Sequence, residues 1–136
     1  MHFSVGAVIR RDGKFLLLDR MKPPFGFAGP AGHVLGDEDP VEALKREVER
    51  EVGLKVVDQN LLFDEEVERS WCSQDITAHH WYLFDCTVSG AVIPSSLDAK
   101  SIGWFSKEEI QDMKIEFMWQ YWLGKMGVIQ TSSSPP

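Results

Sequence analysis

Apolar and polar positions divide the chain into strand-like runs, a Gly/Pro-rich loop and helical stretches. Residues 3–10 (FSVGAVIR) and 14–19 (KFLLLD) are two β-type runs. Asp12-Gly13 lies between them, a pair suited to a tight hairpin turn. Residues 22–39 (KPPFGFAGPAGHVLGDED) hold too much Gly and Pro for one regular element and read as a long loop, either functional or disordered. Asp39 can cap a helix, Pro40 suits its first turn and Gly53 supplies a left-handed stop, so a helix spans 40–52. Residues 61–72 and 76–88 are long strand candidates, joined by the polar hairpin Ser73-Gln74-Asp75. A loop over 89–101, containing Pro94-Ser95-Ser96, precedes a short strand at 102–105. Ser106-Lys107-Glu108-Glu109 is a capping box that opens a second helix. Ile115, Met118, Trp119, Trp122, Leu123 and Met126 recur at helical spacing and predict a last helix over 115–126. Residues 1–130 read as one domain, and 131–136 as a disordered tail.

The helix at 40–52 holds the densest charge, and a wheel at 100° per residue sorts it. Val41, Leu44, Val48 and Val52 share one arc, which faces the core. Glu42, Lys45 and Glu49 lie on or toward the outer face, with Glu42–Arg46 and Lys45–Glu49 as i,i+4 pairs of opposite sign. Glu47 and Glu51 stand together beside the apolar arc, next to the small Ala43 and Pro40. Two carboxylates one turn apart repel, more so when partly buried, and a cation between them relieves the repulsion. Oxygen ligands of that charge suit Mg²⁺ or Mn²⁺. On the helix alone, a cation site and a structural ion-pair cluster fit equally. The preceding GPAGH adds backbone that can approach an anion, at the N-terminal side of a helix.

Bulk composition narrows the partners. With 43% apolar and 26% charged residues over 136 positions, the chain is globular rather than disordered. A formal charge of −7 and the lack of a basic stripe argue against a nucleic-acid polymer as partner. Cys72 and Cys86 form no Cys-x-x-Cys pair and read as reduced thiols, and no apolar run could span a bilayer. A cytoplasmic protein is expected. One of His79 and His80 should face inward, since neighbours on a strand alternate. Phe25, Phe27 and Trp71 are candidates to stack on a base, with core or loop anchoring the default. Arg20 and Lys22 could meet phosphate. The Met118-Trp119-Trp122 stripe either covers the core or faces a second copy in a homodimer.

Residues 32–54, GHVLGDEDPVEALKREVEREVGL, resemble the signature of the Nudix hydrolases: Gly, five residues, Glu, seven residues, then Arg-Glu-U-x-Glu-Glu-x-Gly-U, where U is bulky and apolar. Gly32, Glu38, Arg46, Glu47, Val48, Glu51, Gly53 and Leu54 match. Such a match arises by accident on the order of once in 10⁷ windows. The resemblance implies an α/β/α sandwich with a mixed sheet, of α/β (α+β) class. It implies a metal-dependent hydrolase that cleaves the diphosphate bond of a nucleoside diphosphate linked to another group. By the same resemblance Glu47 and Glu51 are metal ligands, joined by the backbone carbonyl of Ala31. Glu38 sits in the loop, Arg46 orients the glutamates, Gly32 lets the loop turn and Gly53 ends the helix. The chain departs at Arg50, where the family has a glutamate. Arg50 cannot ligate a metal, so the site holds fewer ions or recruits Glu65, Glu66, Glu68 or Asp98; alternatively Arg50 contacts a substrate phosphate. Arg50 also motivates a second reading, a Nudix-fold module that senses a nucleotide with little or no hydrolysis. An isomerase-like use of the fold on a prenyl diphosphate fits less well, because the box is nearly complete.

Overall fold

The computed structural model describes residues 2–68, 78–93 and 97–130. Trp71, Cys72, the Ser73-Gln74-Asp75 turn, Pro94-Ser95-Ser96 and the tail 131–136 lie outside these. The elements in order are β1 (His2–Arg11), β2 (Lys14–Arg20), β3 (Phe27–Ala28), β4 (Ala31–His33) and α1 (Pro40–Val52). They continue with β5 (Lys55–Glu68), β6 (Ala78–Ser89), β7 (Ala99–Ser106), α2 (Lys107–Gln111) and α3 (Phe117–Lys125). Strands β1 and β6 pair in parallel, and the other pairings are antiparallel: β1 with β2 and β4, β2 with β3 and β7, β5 with β6. The sheet is therefore mixed.

Alternation along the strands separates two apolar cores. Val5, Ala7, Ile9, Leu16, Leu18 and Phe84 point to one face, where Leu44, Val48 and Val52 of α1 cover them. Val8, Phe15, Leu17, Trp81 and Leu83 point to the other, beneath Ile110 of α2 and Met118, Trp119 and Trp122 of α3. The molecule is an α/β/α sandwich, a single domain, and the aromatic stripe of the last helix covers a core.

The first hairpin and α1 lie where the sequence predicts them. Asp12 and Gly13 turn the hairpin with φ of 54° and 76°. Asp39 caps α1, its carboxylate accepting from Val41 N–H, and Gly53 ends it at φ 74°. The capping box at Ser106 opens α2. Three boundaries differ. β5 begins at Lys55 rather than 61, because register shifts between Val56 and Asp58 and between Leu61 and Phe63 break the alternation that would reveal it. β7 begins at Ala99, inside the expected loop. The final helix starts at Phe117, capped by the Glu116 carboxylate, which accepts from Met118 N–H at 2.6 Å.

The region 22–39 is a loop that contains β3 and β4. These strands have two and three residues, too few for a periodic signal, and pairing with other segments of the chain creates them. β3 pairs with β2, and Phe27 also bridges to the segment before α3: its N–H donates to Lys114 O at 2.8 Å and its carbonyl accepts from Glu116 N–H at 2.9 Å. β4 pairs with β1, matching Ser4 to His33, Val5 to Gly32 and Gly6 to Ala31. This pairing holds the loop against the flank of α1 that carries Arg46, Glu47 and Glu51.

Candidate active site

Two buried glutamates on α1 lie against the backbone of β4. Glu47 and Glu51 are 6% and 4% exposed, on the flank of the helix that also buries Ala43, Leu44, Val48 and Val52. Glu49 and Lys45 are exposed, as the wheel predicts. Gly32 makes the close approach possible: a β-carbon there would lie 2.4 Å from Glu47 Cδ. Ala7 N–H donates to Pro30 O and Val34 N–H to Phe3 O, both at 2.9 Å. Residues 30 and 34 thus direct their backbone groups at β1, and residues 31 and 33, out of phase, direct theirs toward α1. Accordingly Ala31 N–H donates to Glu51 Oε1 at 2.8 Å, and His33 O accepts from Arg46 Nη2 at 2.9 Å. The Ala31 carbonyl shares that outward orientation.

Arg46 braces the loop to the helix. Its Nη1 donates to Glu47 Oε1 at 2.5 Å, and its Nε and Nη2 donate to Glu38 at 2.8 and 2.9 Å. Glu38 also accepts from Leu35 N–H at 3.0 Å. The Arg46 guanidinium and the Leu35 N–H hold the Glu38 carboxyl down at about 2, while Glu38 raises the pKa of Arg46. The expected Glu42–Arg46 surface pair does not form. Glu42 instead accepts from Asp39 N–H at 3.2 Å to complete the capping box, which leaves Arg46 to turn inward. The Lys45–Glu49 pair is likewise not among the described ion pairs.

Arg50 folds back over Glu47. Its Nη2 and Nε lie 2.5 and 3.2 Å from Glu47 Oε2, and its Nη1 lies 2.8 Å from Asp98 Oδ2. Both Glu47 oxygens therefore accept from arginine. Glu47, then Asp98, raises the pKa of Arg50 against the opposing effect of burial. Glu51 has a single described donor, Ala31 N–H. Burial pushes its carboxyl up to about 8, and the nearby charge of Glu47 pushes the same way.

The other sequence candidates divide. Asp98 is joined to the site through Arg50. Glu65 points to the α3 side of the sheet, where it accepts from Tyr121 Oη at 2.6 Å and pairs with Lys125, so it is not brought to Glu47. Glu66 is exposed on β5, and the side chain of Glu68 lies outside the described residues. Lys22 is exposed one residue beyond Met21, whose N–H donates to Asp98 O at 3.1 Å. Arg20 is committed to the loop, donating to Pro24 O at 2.7 Å. Phe27 packs edge-on against Phe105 at 5.4 Å, an anchoring role, while Phe25 is exposed with the Lys100 ammonium 5.1 Å from its ring centre. His79 is the inward member of its pair, and His80 faces the other way beside Asp64. Cys86 is a buried free thiol, raised to about 12 by desolvation. No described helix is long and apolar enough to cross a membrane. Sequence reasoning missed the clasp of Arg50 on Glu47, since a rotamer leaves no trace in spacing.

A Glu51 carboxyl that burial keeps protonated, with a neighbouring Glu47 and an outward Ala31 carbonyl, is a donor set that gains from a hard cation. The residues present fit such an ion, with Arg50 as competitor for one Glu47 oxygen.

Known proteins resemble the chain in sequence and in fold. A family model described as the NUDIX domain matches residues 1–121. The phosphatase NudJ of Escherichia coli K12 is 30% identical over 112 residues, covering 80% of this chain and 71% of NudJ. The MutT protein of Methanosarcina mazei Go1 superposes with a TM-score of 0.67 at 28% identity, over 83% of this chain and 82% of that one. A MutT NUDIX hydrolase from Burkholderia pseudomallei gives 0.67 at 26% identity, over 79% and 84%. With the box residues gathered on α1 and β4, these matches show that the chain belongs to the Nudix family and is a hydrolase of that family.

Proposed function

We propose that this hydrolase cleaves the phosphoric anhydride bond of a nucleoside diphosphate linked to another moiety, with Mg²⁺ or Mn²⁺ held by Glu47, Glu51 and the carbonyl of Ala31. The observation that carries the reading is the buried Glu51 beside Glu47, pressed against glycine backbone and pushed up to about 8. A carboxyl in that position is poorly suited to a purely structural role, because ionisation costs free energy until a cation joins it. A divalent cation would neutralise phosphoryl oxygens and make water a better nucleophile.

The chain's own residues carry the rest. Arg46 fixes Glu47 while its hold on Glu38 and His33 O keeps the loop closed on the helix. Glu47 positions or deprotonates the attacking water. Arg50, half-exposed and paired with Glu47 and Asp98, can exchange those partners for a substrate phosphate, which the exposed Lys22 can meet from the neighbouring loop. Arg50 and Lys22 offset locally the overall charge of −7, which otherwise repels an anionic substrate.

The test is hydrolysis of a panel of nucleoside diphosphate derivatives, with Mg²⁺ and with Mn²⁺, read as formation of the nucleoside monophosphate and the phosphorylated second moiety. Glu47→Gln should lower turnover by about two orders of magnitude or more with the fold retained. Wild-type turnover in Glu47→Gln refutes the assignment. Saturable nucleotide binding with no hydrolysis across the panel would instead favour a sensing module, to which the Arg50–Glu47 clasp is the structural pointer.

A further inference from the structure

Three histidines far apart in sequence meet on the face of the sheet opposite α1. His33 comes from β4, His2 from β1 and His79 from β6, three strands that lie side by side. His2 is directly opposite His79 in the register, and His33 is opposite Ser4. Their ring centres are 5.0 Å (His2–His33), 5.4 Å (His2–His79) and 5.7 Å (His33–His79) apart. One ring nitrogen from each falls within 4.8 Å of the other two.

His79 is only 1% exposed, and its Nδ1 lies 3.0 Å from the buried Ser4 Oγ. Its Nε2 is buried with no hydrogen-bond partner. A buried polar atom left unpaired is costly, so native structures seldom keep one without a use. When Nδ1–H donates to Ser4, Nε2 carries the lone pair. A metal-bound imidazole has this arrangement, one nitrogen on the ion and the other fixed by an acceptor. His2 and His33 are half-buried and leave a way in.

We propose that His2, His33 and His79 form a second metal site, for a Zn²⁺-type ion with an open fourth position. The ligand chemistry decides the class of ion. Three imidazoles, with no carboxylate grouped with them among the described residues, suit Zn²⁺ and discriminate against Mg²⁺ and Mn²⁺, which prefer oxygen. Zn–N bonds of about 2.0–2.1 Å in a tetrahedron place ligand nitrogens about 3.3 Å apart. From within 4.8 Å of one another, the ligand nitrogens reach that spacing by rotation of the rings. The site is distinct from the carboxylate pair: Gly32 faces Glu47, whereas His33 projects from the other side of β4.

Metal-stripped protein titrated with ZnCl₂ in a calorimeter tests this, with Co²⁺ as the visible probe of the same site. To remove any uptake by the carboxylates, the titration is repeated in Glu47→Gln/Glu51→Gln. That variant should bind one Zn²⁺ per chain, unaffected by excess Mg²⁺, and give the intense visible bands of tetrahedral Co²⁺. Adding His2→Gln or His33→Gln should weaken binding at least tenfold and abolish the bands, with an unchanged circular dichroism spectrum. His79 is left intact because its burial makes its replacement a risk to folding. No Zn²⁺ uptake by the wild type, loss of all uptake in Glu47→Gln/Glu51→Gln, or full affinity in both histidine variants would overturn the proposal.

Discussion

Replacing Glu51 by glutamine should stabilise the metal-free protein at high pH while destroying its capacity for the proposed cation. The side chains are nearly isosteric, and the glutamine carbonyl can still accept from Ala31 N–H. Burial lifts the Glu51 carboxyl from an ordinary 4.5 to about 8. Below 4.5 both folded and unfolded chains hold the proton. Between 4.5 and about 8 the unfolded chain has released it and the folded chain has not, so stability falls as pH rises, and the loss is complete above about 8. At about 1.4 kcal/mol per pH unit, that gap caps the cost at about 5 kcal/mol. Water entering around the ionised group lowers the expected cost to about 2–3 kcal/mol. Urea unfolding in EDTA at about pH 5 and about pH 9 measures it. Wild type and Glu51→Gln should agree at the lower pH, and the variant should be more stable by about 2–3 kcal/mol at the higher. Millimolar Mg²⁺ should restore the wild type at high pH and leave the variant unchanged. A stability difference independent of pH, or a variant weaker at both values, would refute the reasoning.

Gly32→Ala places a methyl group 2.4 Å from Glu47 Cδ, so either β4 or Glu47 must move. Overpacking of this kind should cost about 1–3 kcal/mol in chemical denaturation and lower turnover about a hundredfold. Arg50→Ala removes the competitor for Glu47 Oε2 and should tighten Mn²⁺ binding about three- to tenfold by calorimetry, while raising KM if Arg50 also meets a phosphate. Unchanged Mn²⁺ affinity and KM would leave Arg50 without a role at the site. Asp39→Ala removes the α1 cap and should cost about 1 kcal/mol in thermal or urea unfolding, with turnover at saturating substrate unaffected.

Much of this architecture is local in origin, and that part is legible in the sequence. Asp39, Pro40 and Gly53 set the ends of α1 through capping chemistry that needs no tertiary contact. The wheel placed Glu47 and Glu51 at the edge of the apolar arc, and both are buried there. What stayed hidden depends on partners distant in sequence or on rotamers. β3 and β4 exist because β2 and β1 offer them edges. Arg46 appeared on the wheel as half of a surface pair with Glu42. It turns inward because Glu38 and the His33 carbonyl supply acceptors that no wheel contains. Arg50 was visible as a departure from the family pattern, yet its clasp between Glu47 and Asp98 was not. The histidine trio leaves no mark in the sequence because three strands, not one spacing, bring it together.

The three residues of β4 obey a rule of parity. Gly32 must present a bare hydrogen to one side, while its neighbours offer an imidazole and a methyl group to the other. A single-residue insertion or deletion within residues 30–34 would exchange those sides, setting bulk against Glu47 and turning His33 away from Ser4. Changes of length in this connection should therefore survive only outside that short frame, at the proline turn before it or the acidic turn after it.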